Sequence, residues 1–182
     1  MKPDFYDQSN YSEVFDLFSS LSLFPVNNEI LKILNRITDA ALENNDSIKI
    51  TDMGAGTGYF SSLFLIHQKK NWDNIFMNLV EPSVLMREKL EKKVIKCKNK
   101  TVLAMTAQNS LKEIANQDVF IFQRCLYAFY PQDRFEKYEE FIQQVYHKTN
   151  NGGYIVVYDF FQKYNIDIAE KYAFEDRKNW FI

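Results

Sequence analysis

Apolar residues recur along the chain in two alternating patterns. Short, nearly continuous apolar runs indicate buried strands, and stretches with apolar residues at three- and four-residue steps indicate amphipathic helices. The predicted strands are residues 47–51, 75–81, 101–105, 118–123 and 154–160. The predicted helices are residues 11–23, 27–43, 59–66, 82–95, 110–116 and 135–146. This alternation predicts one α/β doubly wound, Rossmann-like, mostly parallel sheet with helices on both faces and ligands at the carboxyl ends of its strands.

Composition narrows the class of protein without defining it. Of the 182 residues, 46% are hydrophobic and 25% charged, which is an ordinary globular balance, and the net charge of −2 argues against a nucleic-acid module. Cys97 and Cys125 are too few and too far apart for a disulfide framework or a zinc site, so no metal is predicted. No leader-like or membrane-spanning stretch is found. These features predict a soluble, cytoplasmic protein.

The stretch with the clearest chemistry is D-M-G-A-G-T-G, residues 52–58, between the first predicted strand and a helix. Its three alternate glycines permit positive φ and leave the backbone bare for a ligand. The helix start beyond it offers unpaired N–H groups and a partial positive charge. The stretch is therefore predicted to hold something small and partly anionic.

Two cofactor classes compete for this loop. A dinucleotide motif needs G-x-G-x-x-G/A, but Tyr59 occupies the third slot, and Asp52 would lie close beneath a doubly charged pyrophosphate. S-adenosylmethionine carries one carboxylate and one ammonium, which suit backbone N–H groups and Asp52 respectively. Glu81, after the second strand, would accept hydrogen bonds from ribose hydroxyls in either class. The charge pattern favours S-adenosylmethionine, and an NAD(P)-dependent oxidoreductase is the less favoured alternative.

Residues 52–58 with Glu81, and N-G-G-Y at 151–154 before the fifth strand, resemble a class I S-adenosylmethionine-dependent methyltransferase over residues 47–160. The resemblance implies a cap or lid over residues 1–46 and a C-terminally short cofactor domain over 47–182. The residues that it assigns to the cofactor site are Asp52, Gly54, Ala55, Gly56, Gly58, Glu81, Pro82, Thr106, Ala107, Gln108, Gln123 and Arg124. The glycines would meet the methionine moiety, residues 106–108 would flank the adenine, and residues 123–124 would lie under the cofactor.

A narrower similarity joins N-Y-S-E-V-F at residues 10–15, V-E-P-S at 80–83 and F-I-F-Q-R-C-L-Y at 120–127. Together they resemble the histamine N-methyltransferase branch, in which an N-terminal acid and a glutamine after the fourth strand hold the substrate. The matching places here, near Leu23 and Arg124, lack those groups. The similarity therefore implies a small-molecule acceptor, with an amine other than histamine as one candidate.

Aromatic residues near the predicted ligand end of the sheet form the candidate substrate pocket, against the alternative that they only pack beneath a helix. The candidates are Tyr11, Phe15, Tyr127, Phe129 and Tyr130. Arg124 would either pair with Asp52 or Glu81 or contact an acidic substrate. No catalytic residue is predicted, because methyl transfer to a neutral amine needs alignment rather than a dedicated acid or base.

The C-terminal end departs from the family pattern. A complete sheet of this class has seven strands, but residues 163–182 are predicted to be helical or irregular. Either the chain is a piece of a longer protein or its sheet ends at strand five, which would expose an edge and favour a homodimer. Loss of part of the pocket would leave a cofactor-binding protein without catalysis, which is the alternative function.

Overall fold

A computed structural model describes residues 13, 16, 17, 24–94, 97–125, 135–158 and 179–181. Its helices are α1 (Phe24–Asn44), α2 (Tyr59–His67), α3 (Val84–Lys93), α4 (Ala107–Glu113) and α5 (Phe135–Lys148), and a 3₁₀ helix covers Lys69–Asn74. Its strands are β1 (Ile48–Met53), β2 (Ile75–Val80), β3 (Lys100–Leu103), β4 (Gln117–Gln123), β5 (Thr149–Tyr158) and β6 (Asn179–Phe181). Residues 13, 16 and 17 are also helical.

The strands form one sheet in the order β3-β2-β1-β4-β5-β6, and every neighbouring pair is parallel. The order reverses between β1 and β4, which is the switch point where open α/β sheets bind ligands outside the carboxyl ends of their strands. The predicted doubly wound parallel fold is confirmed. None of the described helices combines the length and the apolar character needed to cross a bilayer.

Successive side chains of β4 enter two separate cores, one on each face of the sheet. Val119 and Ile121 belong to the core that α1, α2 and α3 complete, whereas Phe120 and Phe122 belong to the core that α4 and α5 complete. This alternation follows from the two-residue period of a strand. A strand covered on both faces is apolar throughout, which is why β4 could be predicted from its sequence.

Three elements begin at least three residues before their predicted starts, for local reasons. Helix α1 begins at Phe24, so Pro25 lies in its first turn, where proline is tolerated, and does not end a preceding linker. Helix α4 begins at Ala107 rather than at residue 110, because the Thr106 hydroxyl accepts from the Asn109 N–H as its N-cap. Strand β5 begins at Thr149, before the glycine pair, with a register irregularity against β4 between Gln117 and Val119.

The sixth strand corrects the prediction that residues 163–182 are helical or irregular. Residues 179–181 pair in parallel with Tyr154, Ile155 and Val156 of β5. Three residues are too short a run to show a period in the sequence. The part of β5 whose exposure motivated a homodimer is therefore paired within the chain at these three positions.

Candidate functional site

The glycine loop follows β1 at the carboxyl edge of the sheet. Gly54, Gly56 and Gly58 have φ values of 75°, 56° and 74°, so each occupies the left-handed region that side chains disfavour. Gly58 is also the residue before α2, and a Cβ placed there would lie 2.4 Å from Cδ1 of Leu90. The three glycines are thus required by backbone conformation, and Gly58 also by the close approach of α3.

Most N–H groups of this loop are bonded within the chain. The N–H groups of Gly54 and Ala55 both donate to the Val80 carbonyl at 2.9 Å, and the Gly58 N–H donates to the Ala55 carbonyl at 2.9 Å. The first intrahelical bond of α2 runs from the Ser62 N–H to the Gly58 carbonyl. The donors left for an anion are therefore those of the first turn of α2, because helix starts have no internal partner for them.

Glu81 joins the loop to the end of β2. Its Oε2 accepts from the Gly56 N–H at 2.9 Å, and its Oε1 accepts from the Ser83 N–H at 2.8 Å. The side chain is buried, and burial raises its pKa above the usual 4.5, an effect that the two N–H donors and the Arg87 charge oppose. Each carboxylate oxygen can accept a second hydrogen bond, so the residue can fix the loop and still accept from a ligand.

Asp52 lies beneath the loop, near the end of β1. It is 3% exposed, and the Ser61 hydroxyl of α2 donates to its Oδ2. Burial raises the pKa of this carboxyl from 3.8 to about 6, and the Ser61 hydrogen bond works in the opposite direction. The charge of Asp52 also raises the pKa of Glu81, so two neighbouring acids give the pocket a negative field that suits a cation.

The segment after β3 lies beside Glu81. Val80 pairs with Leu103, and the Glu81 N–H donates to the Leu103 carbonyl at 3.1 Å. Thr106 and Gln108 are half-buried at the start of α4, whereas the Ala107 side chain is buried in the second core. Of these three predicted adenine neighbours, Ala107 can offer a ligand only its backbone.

Pro82 lies outside α3, whereas the sequence predicts a helix that begins at this residue. Ser83 is the N-cap, and its hydroxyl accepts from the Met86 N–H at 3.3 Å. The Pro82 carbonyl accepts from the Arg87 guanidinium, which also donates to the Glu81 carbonyl at 3.0 Å. Hydrogen bonds with α3 therefore hold residues 81–83 in place, from Arg87 to the carbonyls of residues 81 and 82 and from the Met86 N–H to the hydroxyl of residue 83.

Gln123 and Arg124 lie at the carboxyl end of β4, next to the glycine loop. Met53 pairs with Phe122, so Gly54 and Gln123 occupy neighbouring positions along the sheet edge. Arg124 has φ 53°, and its N–H donates to the Tyr158 carbonyl at 2.7 Å. A non-glycine residue in the left-handed region is typical of functional sites, because such a conformation costs free energy and is not retained by chance.

Sequence reasoning missed two residues that contact this edge. Asn27, in the first turn of α1, accepts from Gln123 Nε2 through its Oδ1 and is 1% exposed. Asp16, in the helical N-terminal segment, accepts from the Thr57 hydroxyl of the loop and from Lys93 Nζ at 2.8 Å. These partners are separated by 41 to 96 positions in the chain, so no local sequence pattern could have indicated them.

The predicted substrate-pocket residues Tyr11, Phe15, Tyr127, Phe129 and Tyr130 lie outside the described residues. The described part of the chain holds no group of three or more potential metal ligands among His, Cys, Asp and Glu. The predicted residues that the structure brings together are thus residues 52–58, Glu81 and, through the register of the sheet, Gln123. Residues 106–108 follow at the β3 end of the same edge.

No protein-family model matches the sequence, and no curated protein matches it. Solved structures do match the fold. The CurJ carbon methyltransferase is 15% identical with a TM-score of 0.65, over 98% of this chain and 47% of that chain. The plantazolicin methyltransferase BamL, in complex with a desmethylPZN analogue and S-adenosylhomocysteine, is 14% identical with a TM-score of 0.57, over 80% and 50%. An rRNA methylase from Streptococcus thermophilus is 14% identical with a TM-score of 0.50, over 69% and 70%.

These likenesses establish the fold. It is the Rossmann-like fold of S-adenosylmethionine-dependent methyltransferases. The chain spans about half the length of the CurJ and BamL proteins. The solved relatives named here act on different kinds of acceptor, so the fold alone does not define a substrate. The relation to the histamine branch stays a prediction.

Proposed function

We propose that this chain binds S-adenosylmethionine and is the methyl-transferring domain of an enzyme for a small-molecule acceptor, with amines as the first class to test. The observation that carries the proposal is the bond between Glu81, after β2, and the Gly56 N–H, after β1, at the carboxyl edge of a sheet with the methyltransferase-type order. It joins the two parts of the predicted cofactor motif, which are 25 positions apart in the chain.

The charges at the loop favour S-adenosylmethionine over a dinucleotide. Asp52 and Glu81 are both buried beside the loop, where they would repel a pyrophosphate and attract an ammonium or sulfonium. The N–H groups of Gly54, Ala55 and Gly56 already have acceptors within the chain. A pyrophosphate would therefore find few of the backbone donors that dinucleotide loops provide.

In this proposal the cofactor supplies a methyl group on a sulfonium that is already activated for displacement. The chain's own residues bind and orient. Glu81 accepts from the ribose hydroxyls, Asp52 holds the ammonium through its field, and the N–H groups of the first turn of α2 meet the carboxylate. The remaining requirement is that the edge near Gln123 aligns the acceptor and excludes water.

Calorimetry tests the cofactor assignment. The wild-type chain is expected to bind S-adenosylmethionine and S-adenosylhomocysteine but not NAD(P), and Glu81→Ala should weaken binding at least about tenfold through loss of buried acceptor oxygens. Glu88→Ala, on the exposed face of α3, is the matched control and should bind normally. Absence of binding to the wild type, or equal affinity in Glu81→Ala, would reject the assignment.

We also propose that the N-terminal part of the predicted cap or lid over residues 1–46 covers the cofactor loop. Support comes from Asp16, which accepts from Thr57 in the loop and pairs with Lys93 on α3. Lys93 also donates to the Thr57 hydroxyl at 3.1 Å, and its Nζ lies 5.8 Å from the Tyr59 ring centre. Asp16→Asn should speed release of S-adenosylhomocysteine, whereas Glu13→Gln, exposed on the same segment, should not. Equal release rates in both variants would argue against the lid.

A cofactor-binding protein without catalysis is the second candidate, because the chain spans about half the length of two of its structural relatives. Turnover with a panel of amines and carboxylic acids would distinguish the two. Methylation of any member supports the enzyme, whereas tight S-adenosylmethionine binding with no turnover supports the alternative. An RNA acceptor should be included, because one structural relative is an rRNA methylase.

Two further proposals concern the setting of the protein. Cys97 and Cys125 are both buried and neither is in a disulfide, which supports a reducing compartment such as the cytoplasm. A homodimer through the β5 side of the sheet would now have to form across β6. Light scattering that gives the mass of two chains would support it, and a clean monomer would reject it.

A further inference from the structure

One buried donor near the glycine loop has no partner. The Asn27 side chain is 1% exposed, and its Oδ1 accepts from Gln123 Nε2, but its Nδ2 is buried without a hydrogen bond. Removing an amide N–H from water without replacing its hydrogen bond costs about 1–3 kcal/mol. Native proteins hold few such groups, and a ligand that completes the bond is one reason for keeping one.

The place of this donor points to the same end of the sheet as the cofactor motif. Gln123 is the last residue of β4, and the pairing of Met53 with Phe122 makes it a neighbour of Gly54. Asn27 lies in the first turn of α1, whose later residues pack on β1 in the first core. The Asn27–Gln123 pair is therefore beside the glycine loop but on the β4 side of it, away from Glu81 on β2.

The chemistry of an N–H donor restricts what can bind. A protonated amine has no lone pair to accept the bond, and an amine about to be methylated must keep its lone pair for the methyl group. In an amine acceptor, the atom that Asn27 binds is therefore different from the atom that is methylated. Carbonyl and carboxylate oxygens accept such a bond well, and a carboxylate accepts it more strongly.

We infer that Asn27 and Gln123 form the hydrogen-bonding end of the methyl-acceptor site, where the Asn27 amide donates to a carbonyl or carboxylate oxygen of the acceptor. This inference rests on the proposed methyltransferase function and makes its acceptor bifunctional. One oxygen anchors the molecule at Asn27, and a separate nucleophilic atom faces the methyl group. Asn27 is then a residue that determines specificity and takes no part in the transfer itself.

The experiment follows the Asn27 side-chain amide by NMR in ¹⁵N-labelled chain saturated with S-adenosylhomocysteine. Three small probes are added up to their solubility limits: acetate, acetamide and methylammonium. The resonances of the Asn27 side-chain amide protons, assigned by their connection to the backbone resonances of the same residue, should shift downfield with acetate or acetamide. They should not shift with methylammonium. A larger shift with acetate identifies a carboxylate ligand, and an equal or larger shift with acetamide identifies a neutral carbonyl.

Matched variants test the donor directly. Asn27→Asp replaces the N–H donor by an oxygen of similar size, and affinity for acetate should fall at least about tenfold. Asn28→Asp, at the next and more exposed position of α1, should retain wild-type affinity. Because the shift in the wild type is itself a readout, the test holds even if Asn27→Asp is poorly folded.

Three results would overturn the inference. They are no amide shift with either acetate or acetamide, a shift with methylammonium alone, and acetate binding by folded Asn27→Asp equal to that of wild type. Failure of S-adenosylhomocysteine to bind the wild type in calorimetry would instead reject the proposed function. The titration repeated without S-adenosylhomocysteine would then still report on Asn27.

Discussion

The two halves of the candidate site differ in how their polar groups are satisfied. On the β2 side of the glycine loop, both oxygens of Glu81 accept backbone N–H groups, and Asp52 accepts from Ser61. On the β4 side, the Asn27 amide keeps a buried N–H without a partner, and Arg124 has a left-handed backbone. Both halves lie at one edge of one sheet, so the contrast does not arise from a different scaffold.

The β2 side, whose polar groups are already bonded within the chain, is the organised half of the site. The β4 side is the half that a ligand would complete. Bonds within the chain hold the loop in shape before anything binds, which lowers the entropy lost on binding. An unpaired buried donor does the reverse, because it destabilises the empty state and strengthens binding of a matching group. The first half should therefore respond to mutation in stability, and the second in ligand selectivity.

The largest effect is expected from Gly58→Ala on the organised half. The new Cβ would meet Leu90 at 2.4 Å, and the residue would keep φ 74°. Overpacking and left-handed strain together should lower the free energy of unfolding by about 3 to 5 kcal/mol, measured in urea. Gly152→Ala is the control: its φ is 79°, but a Cβ placed there would have no heavy atom of the described residues within 4 Å, so it should lose only about 1 to 2 kcal/mol. Equal losses would show that the contact with Leu90 is unimportant.

A smaller change in the free energy of unfolding, of about 3 kcal/mol, is expected when the pH is raised through the titration of Asp52. Its pKa rises from 3.8 to about 6 on folding, so the folded state holds the proton more tightly. Protonation therefore favours folding at low pH, and that advantage is lost as the pH rises from 3.8 to about 6. The unfolding free energy of wild type relative to Asp52→Asn should fall across this window. A flat difference would mean that the carboxyl is not desolvated.

The two halves can be compared directly with Glu81→Gln and Asn27→Ala. In Glu81→Gln the new side-chain NH₂ would face the N–H of Gly56 or of Ser83, so that one of these two hydrogen bonds is lost. The free energy of unfolding should fall by about 2 kcal/mol. Asn27→Ala removes an unpaired donor along with one hydrogen bond and should lose less than about 1 kcal/mol. Urea unfolding measures both, with the exposed Glu88→Gln as the control for charge. The reverse order would contradict the distinction between the halves.

The smallest effect should come from the contact of the N-terminal segment with the organised half. The Asp16 and Lys93 side chains are 28% and 30% exposed, and their charges are 2.8 Å apart. A double-mutant cycle with Asp16→Asn and Lys93→Gln should give a coupling of about 0.5–1 kcal/mol, which decreases as salt is added. A coupling near zero at low salt would mean that this ion pair does not hold the segment.

Most of the fold could be predicted from the sequence because its central strands β1, β2 and β4 are mostly buried. The alternation of apolar and polar residues in β1, the apolar runs of β2 and β4 and the helical periods around them predict the parallel doubly wound sheet. Features that depend on one side chain or on short runs were missed. These include the Thr106 cap that starts α4 early and the three-residue β6. Strand β6 in particular depends on pairing with β5, which its own residues do not encode.

The candidate site, like the fold, has features that could be predicted from the sequence and features that could not. Positive φ at all three loop glycines agrees with the conformational reason given for them, and Glu81 accepts from the loop, while its contact with a ribose stays a prediction. The sequence did not indicate that the N–H groups of Gly54, Ala55 and Gly56 bond within the chain, whereas the donors at the start of α2 were already part of the prediction. Asn27 and Asp16 could not be found either, because their partners are distant in sequence.

The number of positions between hydrogen-bonded residues also predicts the order in which the two halves of the site form during folding. The bonds of the organised half join positions 9 and 25 apart, at Asp52–Ser61 and Gly56–Glu81. The bond at Asn27–Gln123, on the β4 side, joins positions 96 apart. Closing longer loops costs more chain entropy, so the loop and Glu81 should form early in folding and the acceptor side late. In native-state hydrogen exchange the contact between Asn27 and Gln123 should therefore open before the contact between Gly56 and Glu81, and such opening would give a ligand a route to this edge of the sheet.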